Sequence, residues 1–208
     1  MVRFRIGGSP RFLSHAETLR VFQRACVRAG LPIRHTEGFN PHPKLSLPLP
    51  RPVGVESEDE LLSVRVVGEP DTSPIERELA SQLPEGCELL SVSIARPGDS
   101  FQPRAAAYVL PVCPERLDET LRATVAQVMA RESIELQRSM DDSGLRVKTV
   151  EVRDFLKSIE LDDRGIIVEC RISPVGSIRV DEILELLGVS ETELSGPIRR
   201  TCVQWGRD

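Results

Sequence analysis

The segment Glu37-Gly38-Phe39-Asn40-Pro41-His42-Pro43-Lys44 holds the densest group of residues able to do chemistry. Pro41 and Pro43 fix the backbone on either side of His42, and Asn40-Pro41 favours a turn. The imidazole and the Lys44 ammonium therefore sit on a stiff loop that loses little entropy when it binds. Such an imidazole can move a proton near neutrality or ligate a metal, and Lys44 can meet a phosphate or a carboxylate. The same composition suits a rigid polar loop that covers an edge strand with Phe39 tucked into the core. Both readings remain open from the residues alone.

A second group lies upstream. His15 falls in the first turn of a predicted helix, where a histidine can act as a ligand or base. Arg20, Arg24 and Arg28 recur every four residues beside the apolar face of that helix, and Arg11, Arg34, Lys44 and Arg51 can extend the stripe. A positive stripe of this length can bind RNA or another polyanion with strong salt dependence, or it can pair with acidic residues of the same chain. Phe39 is the single plausible stacking platform, which is sparse for a typical single-strand RNA module. The spacings of His15, His35 and His42 match no metal motif, so no metal and no cofactor are expected. Gly7-Gly8-Ser9, between a strand and a helix, can cradle an anion with its backbone N–H groups. No G-x-G-x-x-G, Walker A or G-x-S-x-G sequence occurs, which leaves nucleotide hydrolases, Rossmann dehydrogenases and α/β-hydrolases without support.

The whole chain supplies the frame. It has 208 residues, 40% hydrophobic and 28% charged, enough for one large or two small cores. The net charge of -5 conceals an asymmetry: residues 1–54 carry nine Lys plus Arg against two acidic residues, whereas residues 55–208 carry eighteen against thirty. No apolar run is long enough to span a bilayer and no signal peptide opens the chain, so a soluble, cytoplasmic protein without membrane contact is expected. Cys26, Cys87, Cys113, Cys170 and Cys202 are odd in number and far apart, and read as small buried hydrophobes.

The elements that must position the loop follow from periodicity. Val2, Phe4 and Ile6 alternate with Arg3 and Arg5 as a strand over 2–7. Ser14-His15-Ala16-Glu17 has the spacing of a capping box and starts a helix with Leu19, Phe22, Cys26 and Ala29 on its buried stripe, closed by Gly30 and Pro32. A short strand over 33–36 precedes the proline-rich segment 38–52, which must be an ordered loop or an edge. A strand over 61–67, a helix over 74–82 with Ser73 as candidate N-cap, and a strand over 88–95 complete a βαββαβ order. With right-handed crossovers that order closes as a ferredoxin-like sheet.

Beyond a loop at Arg96-Pro97-Gly98-Asp99-Ser100, strands are predicted over 105–112, 134–138 and 198–205. Helices are predicted over 115–130 and 180–187, and Asp162-Asp163-Arg164-Gly165 reads as the turn of a hairpin between 159–161 and 166–172. Residues 145–157 fit no single pattern. The expected class is α+β, with two ferredoxin-like βαββαβ-type units built on antiparallel sheets: a basic domain over 1–96 and an acidic domain over 104–208 with an inserted hairpin.

Residues 12–62, from Phe12-Leu13-Ser14-His15 through Arg20, Arg24 and the 37–44 loop, resemble the radical-SAM-linked family, whose members occur fused to or encoded beside B12-binding-type radical SAM proteins. The family pattern has an aspartate where this chain has Glu17; the capping role survives that change. A radical SAM enzyme needs three closely spaced cysteines for its cluster, and this chain has no such set, so the resemblance implies a companion of the enzyme. The expected function is a non-catalytic accessory protein that binds an anionic substrate, RNA among the candidates, through Arg20, Arg24, Arg28, Asn40, His42 and Lys44. The alternatives are an RNA-processing or RNA-modifying enzyme with His42 or His15 as general acid-base, and a structural protein-interaction module.

Overall fold

The computed structural model describes residues 1–68, 71–96, 98–139, 146–163 and 165–207. Four α-helices and ten strands occur among them: β1 (Val2–Ile6), α1 (His15–Arg28), β2 (Leu45–Ser46), β3 (Glu56–Val64), α2 (Thr72–Ser81), β4 (Cys87–Val92), β5 (Phe101–Leu110), α3 (Glu119–Ala130), β6 (Glu135–Ser139), β7 (Val147–Glu151), β8 (Leu156–Asp162), β9 (Gly165–Arg171), α4 (Val180–Leu187) and β10 (Arg199–Arg207). The class is α+β with mostly antiparallel pairing. The chain divides into a unit of Met1–Pro103 with Arg199–Asp208 and a unit of Arg104–Ile198.

In the first unit β1 lies between β4 and β3, antiparallel to both, with Val2 opposite Leu62 on one side and Val92 on the other. Its period-two pattern is realised: Val2, Phe4 and Ile6 are buried while Arg3 and Arg5 face solvent. α1 begins as the capping box requires, for the Ser14 N–H donates to Glu17 Oε2 at 2.9 Å and the Glu17 N–H to Ser14 Oγ at 3.3 Å. These bonds hold the Glu17 carboxyl below the usual carboxylate range. Phe22, Ala25 and Cys26 form the buried seam of α1, and Leu79 that of α2; all pack on the face of β1 that carries Phe4, whose ring centroid lies 4.4 Å from that of Phe22.

Several boundaries differ from the periodic reading, β4 for one ending at Val92 rather than at 95. β3 begins at Glu56 rather than at residue 61, because Ser57 and Glu60 are buried polar positions that hide the alternation. α2 begins at Thr72 and is capped by Asp71, whose Oδ1 accepts from the Ser73 N–H at 3.0 Å, so Ser73 lies inside the helix. Residues 33–36 make isolated bridges, Ile33 to Val66 and His35 to Pro43, and the strand proper is β2, antiparallel to the end of β3. The last strand, β10, belongs with this first unit: it runs parallel to β3, with Arg199 opposite Glu56 and Arg200 opposite Ser57.

The second unit is built on a β5-β9-β8 antiparallel sheet, with β6 and β7 as a separate ribbon. Residues 114–116 form a 3-10 turn, and α3 starts only at Glu119, where Asp118 accepts from the Leu121 N–H at 2.8 Å. The described part of 145–157 contains β7, a 3-10 turn and the start of β8. Leu145 of that stretch, Pro97 of the interdomain loop and Arg164 of the hairpin turn lie outside the described residues. At the hairpin itself Gly165 has φ +132, and a Cβ there would meet the Leu110 carbonyl oxygen at 2.2 Å. α4 matches its predicted span and ends in Gly188 at φ +61. Arg138 on β6 donates to both carboxylate oxygens of Glu182 on α4, one bond being Nη2 to Oε2 at 2.8 Å, which ties the ribbon to that helix.

A candidate anion-binding surface

Three chain segments meet at the end of β3 in a closed ring of backbone hydrogen bonds. The Arg34 N–H donates to the Arg65 carbonyl at 2.8 Å, the Arg65 N–H to the Lys44 carbonyl at 3.0 Å, and the Lys44 N–H to the Arg34 carbonyl at 2.8 Å. All three residues are cationic and exposed, and none forms an ion pair with another described residue. Arg65 lies outside the stripe that the sequence spacing suggests. It reads as an ordinary strand residue, and only the pairing places it beside the other two.

From this junction residues 34–44 run outward as a narrow arm. The Thr36 N–H donates to the His42 carbonyl at 2.8 Å and the His42 N–H returns to Thr36 Oγ1 at 2.9 Å. Gly38, at φ +125, lets the chain turn, and Asn40 and His42 are exposed. Phe39 at the tip has 107% relative exposure, so it is not a core residue and that half of the covering-loop reading is excluded.

α1 contributes Arg20 and Arg24, both exposed and off the buried seam. The Arg24 side chain forms no hydrogen bond or ion pair with another described residue, and the Arg20 charge acts on the Glu17 carboxylate three residues before it. Arg28 differs. Its Nε donates to Gln82 Oε1 at 3.0 Å and its Nη2 to the Gln82 carbonyl at 2.7 Å, so it closes the C-terminal end of α2. Two of its guanidinium nitrogens are thereby committed to Gln82.

Arg51 is committed more fully. It is buried, and its guanidinium donates to the carbonyls of Arg11, Pro52, Val55, Pro10 and Leu13, stitching residues 10–13 to the segment after β2. Burial pulls its pKa down, opposed by the nearby Glu60 carboxylate. Arg11 sits over the Phe12 ring at 4.3 Å and within 3.9 Å of Glu56. The Gly7-Gly8 cradle is likewise filled: the Gly7 N–H donates to the Gly86 carbonyl at 2.8 Å and the Gly8 N–H to Glu56 Oε1 at 2.9 Å.

The two candidate general acid-bases lie on different segments, His15 at the start of α1 and His42 on the 34–44 arm. His15 borders a water-sized cavity of about 10 Å³ with Phe4, Thr18, Arg51 and Glu60. Arg65 of the junction follows Glu60 by five residues along the chain, roughly 17 Å at strand rise. Among the described residues no three His, Cys, Asp or Glu side chains gather as metal ligands, and no helix is long and apolar enough to cross a membrane.

These features define a mixed α+β protein with a cationic arm and helix face on its N-terminal unit. The chain belongs to a bacterial family described as an uncharacterized protein conserved in bacteria (DUF2344), which matches residues 1–187 and so embraces both units rather than the N-terminal motif alone. No curated protein matches it.

Proposed function

We propose that the protein is a non-catalytic accessory protein that binds an anionic substrate through its N-terminal unit and presents it to a radical SAM enzyme. One observation carries the binding reading: the unequal pairing of the basic residues. Arg3 pairs with Asp59, Arg5 with Glu88, Arg199 with Glu58 and Arg200 with Glu60, yet Arg24, Arg34, Lys44 and Arg65 pair with no described carboxylate. A chain with thirty-two acidic residues had ample opportunity to neutralise them. Unpaired cations on one surface attract phosphates and release counterions when they bind.

The partner rests on the resemblance of residues 12–62 to the radical-SAM-linked family, together with the lack of a cluster-binding cysteine set in this chain. The βαββαβ order of the first unit and its β4-β1-β3-β2 pairing support a ferredoxin-like reading of the scaffold.

The test is affinity for a labelled polyanion across a salt series, with a parallel pull-down from native lysate. Binding should weaken steeply with salt, and the combined Arg20→Ala, Arg24→Ala, Lys44→Ala variant should lower the salt slope by about one for each side chain that meets a phosphate. A wild-type protein that binds no polyanion overturns the binding reading. An eluate without any radical SAM protein overturns the accessory role.

A further inference from the structure

We infer that the 34–44 arm with Arg65 is a site for an unpaired stretch of nucleic acid, with Phe39 stacking on a base and Arg34, Lys44 and Arg65 holding adjacent phosphates. This rests on the anion-binding reading above and adds to it the class of ligand.

Phe39 is the first reason. The other phenylalanines of the N-terminal unit before residue 100 are occupied: Phe4 and Phe22 are buried against each other, and Phe12 lies under the Arg11 guanidinium. Phe39 has no ring or cation contact among the described residues, and it projects from a turn rather than a helix or sheet face. Water around a fully exposed ring is unfavourable, and a flat π-face that every base offers relieves it without sequence preference.

The second reason is the stiffness of the arm. Two Thr36–His42 hydrogen bonds and the fixed φ of Pro41 and Pro43 restrain the backbone that carries Phe39 before any ligand arrives, which lowers the ordering entropy that stacking costs. The third is reach. Phe39 is five residues from Arg34 and five from Lys44, at most about 18 Å of extended chain, within the span of the 4–16 nucleotides that single-strand sites take. Glu37 is the sole carboxylate between Arg34 and Lys44, so the arm with Arg65 stays net positive. One aromatic rather than a row of them suits a short stretch, one stacked base with phosphates on either side. A duplex keeps its bases stacked inside and offers Phe39 nothing.

The experiment uses the full chain and fluorescence anisotropy with 12-nucleotide oligouridylate, 12-nucleotide oligothymidylate and a 12-base-pair duplex, with polyphosphate as the competitor that has charge but no base. Both single strands should bind more tightly than the duplex. Phe39→Ala should weaken single-strand binding about 5- to 100-fold, as loss of one stacked base does, and leave polyphosphate competition unchanged. Phe39→Trp should retain binding and show quenching beyond that of the native Trp205. Arg34→Ala, Lys44→Ala, Arg65→Ala together should weaken both ligands. The ratio between the two single strands names the sugar the site prefers. The inference is overturned if Phe39→Ala changes nothing, if it weakens polyphosphate equally, or if the duplex binds as well as the single strands. Those results leave polyanion binding standing, whereas absence of binding to every polyanion removes both.

Discussion

Arg200 on β10 and Glu60 on β3 are 140 residues apart in sequence and form a buried ion pair, with Arg200 Nε donating to Glu60 Oε1 at 3.1 Å. Arg200 Nη1 also reaches the Pro50 carbonyl at 3.1 Å, so the guanidinium ties β10 to both β3 and the segment after β2. Removing Glu60 strands a charge in the interior. Glu60→Ala should destabilise the fold by about 3–5 kcal/mol in urea unfolding, while a double Glu60→Leu, Arg200→Met variant should recover much of that loss. A double variant no more stable than Glu60→Ala would show that the pair itself, rather than its unmatched charge, holds the strand.

Arg28 and Arg24 are expected to part company. Arg28→Ala removes the bonds to Gln82 at the end of α2 and should lower stability by about 0.3–1 kcal/mol with little change in polyanion affinity. Arg24→Ala should leave thermal stability within about 0.5 kcal/mol and weaken polyanion binding. Equal affinity losses for the two would place Arg28 on the binding surface beside Arg24.

Acid should loosen the second unit through Glu182. Burial alone would raise its pKa, but the bonds from Arg138 and from the Arg179 N–H bring it below the ordinary value. A carboxyl depressed in the folded state contributes stability above its unfolded pKa and loses it as pH falls through the folded value. The melting temperature should therefore decline below about pH 4.5, and Glu182→Gln should melt lower at pH 7 yet show a shallower acid decline. An unchanged acid slope in that variant would contradict the assignment.

The cysteines should react in an order set by burial. Desolvation pushes the Cys26 and Cys87 thiols up to about 11 and Cys170 up to about 12, whereas Cys202 is exposed and Cys113 half-buried. A chromogenic disulfide at pH 8 should titrate Cys202 first, Cys113 more slowly and the other three only on unfolding. Rapid native-state labelling of Cys26 would mean that the α1 seam opens.

The local elements were written in local chemistry. The alternation of Val2, Phe4 and Ile6, the Ser14–Glu17 capping box, the span of α4 and its closing Gly188 each depend on residues within one or two turns, so spacing alone revealed them. The stiff Glu37–Lys44 arm was legible for the same reason, because proline and asparagine act on their own backbone.

Long-range pairing was not legible. The sequence set nine basic residues in the first 54 but could not say which of them were already in use. Arg28 and Arg51 share a charge with Arg24 and Lys44, and only the approach of Gln82 and of five carbonyls turned the first two into structural ties. Arg65 entered the cationic junction through backbone bonds to residues 31 and 21 positions away, and β10 joined β3 across the whole second unit. A side chain's charge and an element's period are local properties that the sequence by itself determined. Which charge meets which partner depends on contacts between residues distant in the chain, and those only the tertiary structure decided.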